Sequence, residues 1–265
     1  MQIFNNKTVW ITGASSGIGE ACAYLFAKEN ANLILTSSRA NALSVTLDKC
    51  LELGANCKIL PYDLSDIDGI PALVEEAVKC FGGIDILYHN AGISQRGLAG
   101  ETLFEVDKRI MDINFFAPVL ISKLVLPGML AKQSGTIAVT TSITGKFGFP
   151  LRSSYSASKH ALYGYFESLQ AEYYRQNIRV VMICPGRVNT SISMNALEPD
   201  GKQHGILDKG QSGGITATKA AKQIVNAIYH QKAEILIGGK ELIMVYIKRL
   251  LPFLARILVR KINPT

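Results

Sequence analysis

Charge is scarce in this chain: of its 265 residues 18% are Asp, Glu, Lys or Arg, against 48% hydrophobic. That balance excludes a disordered protein and allows a large buried core. No proline- or serine-rich linker, long charge run or internal repeat divides the sequence, so one large α/β domain is expected rather than two small ones. The five cysteines, Cys22, Cys50, Cys57, Cys80 and Cys184, are odd in number and form no CxxC pair. No metal site is expected, and a reducing, cytoplasmic setting fits best. The N-terminus has neither a basic n-region nor an apolar h-region, and Thr8–Ile11 already reads as strand, so a cleaved signal peptide is not expected. Aromatic residues make up 8% of the chain and nowhere interleave with basic ones along a strand or helix, which argues against nucleic-acid binding.

What is present is alternation. Short apolar runs at Thr8–Thr12, Asn32–Thr36, Cys57–Pro61, Ile84–His89, Gly135–Thr141, Ile178–Cys184 and Glu234–Ile237 are separated by amphipathic segments of helical length. These segments are Ile18–Glu29, Ala40–Leu53, Ile67–Phe81, Glu101–Lys132, Ser154–Gln176 and Ala217–Gln231. Strand–helix repetition with nearly all-apolar strands predicts a doubly wound, Rossmann-like domain: about seven parallel strands with helices on both faces. Ligands in such sheets bind beyond the carboxyl ends of the strands, where the strand order reverses.

At the end of the first strand stands Thr12-Gly13-Ala14-Ser15-Ser16-Gly17-Ile18-Gly19. Glycine lets backbone turn tightly and approach a pyrophosphate, and the following helix presents free amides and its positive dipole end. The spacing is Gly-x-x-x-Gly-x-Gly rather than Gly-x-Gly-x-x-Gly. An acid at the end of the second strand accepts a bond from the 2′-hydroxyl of NAD, whereas a base suits the 2′-phosphate of NADP. Here the segment is Thr36-Ser37-Ser38-Arg39, which favours NADP(H). Asp63, followed by Leu64, comes just after the third strand, where its carboxylate could accept a bond from adenine or serve as a helix cap. Asn90-Ala91-Gly92 ends the fourth, with the Asn amide placed to tie neighbouring strands.

Tyr155 and Lys159 are four residues apart on one predicted helix, so they share a face. A neighbouring ammonium, together with the positive nicotinamide ring, favours phenolate and is expected to lower the tyrosine pKa from its ordinary value near 10 towards useful acid/base strength. Ser142, at the end of the fifth strand, can donate to a substrate oxygen as charge develops there. Asn114, inside the long fourth helix, could hold a water that relays protons to the lysine. Spacing alone is weak, because Tyr24 and Lys28 repeat it in the helix after the glycine loop, where they read as an ordinary surface pair. Position at the ligand-bearing sheet end distinguishes Tyr155.

TGASSGIG, Asp63, Asn90–Gly92, Asn114, Ser142, Tyr155-Ser-Ala-Ser-Lys159 and Pro185-Gly186 together resemble the single-domain short-chain dehydrogenases/reductases, over about residues 7–240. The resemblance implies hydride transfer between a nicotinamide and a carbonyl or alcohol. By position, Tyr155 is the acid/base, Lys159 holds the nicotinamide ribose, Ser142 positions substrate and Asn114 supports the proton relay. Gly13, Ser15, Ser16, Gly17, Ile18, Gly19, Ser38, Arg39, Asp63, Leu64, Asn90, Ala91 and Gly92 would line the cofactor. Pro185, Gly186, Val188 and Thr190 would contact it at the nicotinamide end. His89 departs from the family's usual Asn and reads as a satisfied buried imidazole.

Residues 187–214 contain Gly201, Gly205, Gly210, Gly213 and Gly214 with little periodicity and suit a substrate lid. Ile93, Ile143, Phe147, Phe149 and Leu151 could supply apolar walls, which points to a hydrophobic carbonyl compound. The net charge of +7 is concentrated between Lys240 and Lys261, which hold six basic residues against one acid, Glu241. If helical beyond Pro252, this 241–265 extension aligns Arg249, Arg256 and Arg260 on one face, opposite Leu250, Leu254, Ile257 and Leu258. Such a helix either lies on a membrane surface or packs on the pocket or a partner subunit. The family pairs subunits through helices here placed at 101–132 and 154–176, so a homo-oligomer is expected. The competing reading is a non-catalytic NADP(H)-binding sensor or scaffold on the same fold.

Overall fold

Seven segments rich in β-branched and aliphatic residues pair side by side because each can be buried on both faces. In the computed structural model, which describes residues 3–262, they form one all-parallel sheet. Its strands are β1 (Thr8–Thr12), β2 (Asn32–Ser37), β3 (Cys57–Pro61), β4 (Ile86–His89), β5 (Gly135–Thr140), β6 (Ile178–Pro185) and β7 (Glu234–Ile237), in the order β3-β2-β1-β4-β5-β6-β7. The chain runs outward from β1 to β3, then returns to place β4 on the other side of β1. The carboxyl ends of β1 and β4 therefore flank the point where strand order reverses, and a crevice opens there.

The helices are α1 (Gly17–Lys28), α2 (Ala40–Glu52), α3 (Ile70–Phe81), α4 (Phe104–Ala131), α5 (Ser153–Tyr173) and α6 (Ala217–Tyr229). Period-two alternation sends Val9 and Ile11 of β1 to one face and Trp10 to the other. The first face packs against Phe26 of α1 and Ile224 of α6, and the second against Leu73 of α3, Ile121 of α4 and Phe166 of α5. The Trp10 indole, fully buried, donates to Thr36 Oγ1 at 2.9 Å, so its one polar atom is satisfied.

Helix α4 has a π-helical segment, Asp112–Phe116, between two α-helical stretches. Such insertions cluster at functional sites, and this one contains Asn114. By length and composition α4 could cross a membrane, but half of its most apolar stretch is buried against the rest of the fold.

After β6 the chain makes a two-residue parallel pair, Val188–Asn189 with Ile215–Thr216. The glycine-rich segment between them is pinned to the β4–α4 loop: Arg96 N donates to Leu197 O and Leu197 N to Ser94 O, at 2.8 and 2.9 Å. The C-terminal extension is two short helices, α7 (Ile243–Leu250) and α8 (Pro252–Val259). Leu251 leaves helical geometry before Pro252, so Arg249 does not continue the face of Arg256 and Arg260, as a single helix would have required. The inner side, Leu242, Met244, Val245 and Val259, packs on Ile143, Phe147 and Cys184. Residues 263–265 of the extension lie outside the described residues.

Candidate active site

The glycine loop is shaped by what a side chain would strike. Gly13 has φ +67°, and a Cβ on it would come 2.7 Å from Ala91 Cα. A Cβ on Gly19 would come 2.3 Å from Gly13 O and 2.5 Å from Asn90 Nδ2. Asn90 closes the gap by donating from Nδ2 to Thr12 O and Gly13 O at 3.3 and 3.0 Å, which ties β4 to β1 as its position suggested.

A cleft of about 500 Å³ runs over this loop and is lined by Gly13, Ser15, Ser16, Gly17, Ile18, Ser38, Arg39, Asp63, Leu64, Asn90, Ala91, Gly92 and Thr190. Its volume and glycine cradle fit a dinucleotide. Gly19 lies behind the loop instead of on the cleft wall. At the far end Arg39 Nη2 donates to Ser15 Oγ and Ser16 Oγ at 3.0 and 2.5 Å, and Ser15 Oγ and Ser37 Oγ are 2.7 Å apart. Asp63 Oδ1 accepts from the Ser65 amide and hydroxyl, which leaves its carboxylate on the exposed wall.

A second cleft of about 420 Å³ meets the first at Ile18, Thr140, Thr190 and Ile192. Ser142, Ile143, Phe149, Tyr155, Pro185, Gly186 and Val188 line it. The remaining apolar residues named from sequence are elsewhere. Ile93 lines the first cleft, Phe147 is buried beneath the C-terminal helices, and Leu151, at φ +60°, receives the Gly97 amide on its carbonyl.

Ser142, Tyr155, Lys159 and Asn114 come together from three elements, all buried. Asn114 Oδ1 accepts from Ile93 N at 2.9 Å, and its Nδ2 donates to Ile93 O and Ser158 Oγ at 2.9 and 3.0 Å. Ser158 Oγ donates to Tyr155 O at 2.8 Å, so the π segment is coupled to the turn that carries the tyrosine. Lys159 Nζ donates to Thr140 O at 2.8 Å and stands 5.7 Å from the Tyr155 ring centre. A Cβ on Gly92 would lie 3.1 Å from Asn114 Oδ1 and 3.4 Å from Lys159 Nζ.

The electrostatics of the protein alone bear on how the tyrosine is tuned. Burial pushes the Tyr155 phenol up, and the opposing influences are the Ser142 hydrogen bond and the charges of Arg152 and Arg96. Lys159 is itself held down to about 7 by burial. An ammonium whose own charge is disfavoured cannot be the main source of a lowered tyrosine pKa in the protein alone. His89 is buried, with Nε2 2.8 Å from Ser122 Oγ. Its Nδ1 has no hydrogen-bond partner among the described residues, so the imidazole is only half satisfied, and burial pushes it down to about 3. Tyr24 donates to Glu20 at 2.7 Å, while Lys28 is exposed at the end of its helix, so that second YxxxK forms no site.

Sequence reasoning missed the cationic side of the second cleft: Arg96, Arg152, Arg187 and Lys209, with Asp208. Arg96, Arg152 and Arg187 are lone charges in loops or at a helix end, and only the fold brings them to the Asp208–Lys209 pair.

Comparison with known proteins agrees with this fold. The family described as short chain dehydrogenase matches residues 7–201. Dehydrogenase/reductase SDR family member 7B of Mus musculus is 38% identical over 255 residues, covering 93% of this chain and 78% of the relative. Dehydrogenase/reductase SDR family protein 7-like of Anopheles gambiae is 41% identical, covering 88% and 75%. A short chain dehydrogenase/reductase of Burkholderia phymatum, solved in complex with NAD, superposes with a TM-score of 0.84 at 25% identity, over 100% of this chain and 98% of that one. The alcohol dehydrogenase of Thermococcus sibiricus complexed with 5-hydroxy-NADP shares the fold, with a TM-score of 0.76 at 21% identity over 89% and 97% of the two chains.

Proposed function

The chain belongs to the short-chain dehydrogenase/reductase family of oxidoreductases, and from that premise we propose that it interconverts a hydrophobic carbonyl compound and its alcohol with NADP(H). The observation that carries the reading is Ser142 and Tyr155 on the wall of the second cleft, with Lys159 bonded behind them to Thr140 at the junction of the clefts and Asn114 bonded to the turn that carries Tyr155. Hydride donation or acceptance is the chemistry that a bound nicotinamide supplies. The residues lining the first cleft would hold it, with Arg39 and the hydroxyls of Ser15, Ser16, Ser37 and Ser38 facing a 2′-phosphate where an NAD enzyme would carry an acid. Pro185, Gly186, Val188 and Thr190 form the wall at the reacting end.

In the direction of reduction, the Tyr155 hydroxyl gives its proton to the carbonyl oxygen as that oxygen gains negative charge. Ser142 donates a second hydrogen bond to the same oxygen. The fields of Arg96 and Arg152 favour the phenolate left behind. Lys159 would hold the nicotinamide ribose, and Asn114 fixes the turn through which a proton returns to Tyr155. The 187–214 segment acts as the lid, and Ile143 and Phe149 give the pocket its apolar wall.

Exposed Phe104, Phe116 and Leu124 on α4 support subunit pairing through 101–132 and 154–176. On the extension, Leu250 and Phe253 are 73% and 76% exposed beside the exposed Arg249 and Arg256 and the half-buried Lys248, a pattern that suits peripheral contact with an anionic membrane. The five free cysteines fit a cytoplasmic, reducing setting. The test is NADPH oxidation followed against aldehydes, ketones, diketones and quinones, with NADH in parallel. Carbonyl-dependent oxidation of NADPH, faster than of NADH, is expected. Tight NADPH binding without turnover of any carbonyl would count against the reading.

A further inference from the structure

The first cleft lies between elements from opposite faces of the sheet. Helix α1, which follows the glycine loop, packs on one face, and α4 packs on the other. The near wall is the glycine loop with Ser37, Ser38 and Arg39. The far wall is Arg109 and Ile113 of α4, together with Leu197, Gly201 and Gln203 of the lid. Arg109 and Ile113 are one turn apart, so they share the side of α4 that borders the cleft.

The lid is fastened to that wall. Leu197 bridges to Gln95 on one side and to Gln203 on the other. Leu103, the residue before α4, donates its amide to Pro199 O at 3.0 Å. Gly201 turns the lid chain at φ +84°, and a Cβ there would lie 3.6 Å from Val106 Cγ2 of α4. Gln203 Nε2 donates to Asn195 Oδ1 at 2.9 Å. Helix and lid therefore present one continuous surface to the cleft.

The charges on the two walls differ in how they are used. Two arginines and one carboxylate, Arg39, Arg109 and Asp63, line the cleft. Arg39 is engaged with the Ser15 and Ser16 hydroxyls. Arg109 is exposed and has no hydrogen-bond or ion-pair partner among the described residues. Its neighbour Lys108 is paired, with Nζ 2.8 Å from Asp112 Oδ2. The glycine loop offers a diphosphate amides, hydroxyls and a helix dipole but no full charge. A cation on the far wall, partly covered by the lid, would interact with that diphosphate more strongly than it could in open water.

We propose that Arg109 is a further cofactor-binding residue, which reaches from α4 to the diphosphate shared by NADH and NADPH, and that the lid beside it closes on the nucleotide as well as on the substrate. The assignment rests on the first cleft holding a dinucleotide, and is independent of which cofactor is preferred and of any turnover. A planar guanidinium suits phosphate oxygens because it can give them two parallel N–H bonds. Arg109 then sets the affinity for both cofactors, whereas Arg39 sets the difference between them.

The test is calorimetric titration of NADPH, NADH and ADP-ribose into the wild-type protein, Arg109→Gln, Arg109→Lys and Lys108→Gln. Arg109→Gln should weaken all three ligands by roughly 5- to 50-fold, the value of one charge-assisted bond after partial screening. Arg109→Lys should restore part of the loss. Lys108→Gln removes the same charge one residue away and should leave every dissociation constant within about twofold. Raised salt should narrow the gap between wild type and Arg109→Gln. Unchanged binding by Arg109→Gln, an equal loss in Lys108→Gln, a loss confined to NADPH, or a loss indifferent to salt each overturns the proposal.

Hydrogen exchange reports on the lid. The Glu198 and His204 amides bond Lys202 O and Ala196 O, both at 2.8 Å, and saturating NADH should slow their exchange in the wild-type protein. Exchange unchanged by the nucleotide overturns the lid's part in the clamp. The two readings fail separately. Nucleotide binding that depends on Arg109, without reduction of any carbonyl, supports this assignment and counts against the proposed reaction. Carbonyl turnover with binding indifferent to Arg109 does the reverse.

Discussion

The proposed preference for NADP(H) puts the 2′-phosphate at Arg39, and substitution of that side chain has a calculable effect. Arg39 is exposed, and among the described residues its guanidinium bonds hydroxyls alone, through Nη2 to Ser15 Oγ and Ser16 Oγ. A phosphate there would take charge-assisted bonds worth about 1.5–3 kcal/mol each when protected. Solvent screening at an exposed position reduces the sum of two such bonds to about the value of one. Arg39→Ala should therefore weaken NADPH binding by roughly 10- to 150-fold, while NADH, which lacks the phosphate, changes by less than about threefold. Ser37→Asp should act in the opposite sense on the two cofactors. Its carboxylate repels the phosphate and accepts from a 2′-hydroxyl, so the preference should invert. Fluorescence titration of both cofactors on the three proteins measures this, and raised salt should shrink the wild-type preference. Equal weakening of NADPH and NADH by Arg39→Ala would refute the reasoning and reduce Arg39 to a brace for the glycine loop.

Other perturbations follow from the same geometry. His89, ordinarily near 6.5, is held to about 3 in the folded protein, so between those values the unfolded chain binds more protons and stability must rise with pH. Denaturant titrations should show stability falling by up to about 5 kcal/mol on acidification from pH 6.5 to 3, and His89→Asn should remove most of that slope. Lys159→Met should abolish turnover yet raise the melting temperature at neutral pH, because burial disfavours the charge it removes. Gly19→Ala, which drives a Cβ into Gly13 O, should weaken cofactor binding at least about 10-fold while the protein stays folded, as thermal melts with and without NADPH will report. If the extension meets membranes, co-sedimentation with anionic vesicles should be lost when Leu250 and Phe253 are replaced by Ser.

The sheet was legible because burial on both faces makes each strand a nearly unbroken apolar run. All seven appear in the expected order, with ends displaced by no more than two residues. At β4 the displacement has a local cause: Asp85 spends its carboxylate on the Thr8 amide, and regular pairing starts after it. The glycine loop and YxxxK were legible because local geometry demands those residue types at fixed spacing. The π segment was hidden, since one extra residue in a turn leaves no periodic trace in a window this apolar. The Arg96–Arg152–Asp208 cluster was hidden for a different reason. Its members are up to 112 residues apart, and only the lid's docking on the β4–α4 loop joins them. Nor did spacing foretell that burial outweighs the favourable charges around Tyr155.

The central claim is that Tyr155 supplies the proton while other groups hold the ligands. Its direct test is Tyr155→Phe, which removes one hydroxyl and preserves the ring. Single-turnover oxidation of bound NADPH by the best carbonyl substrate should slow by about 10²-fold or more, with the NADPH dissociation constant unchanged within about twofold. Retained turnover in the mutant would contradict the account and turn attention to Ser142 or solvent as the proton source.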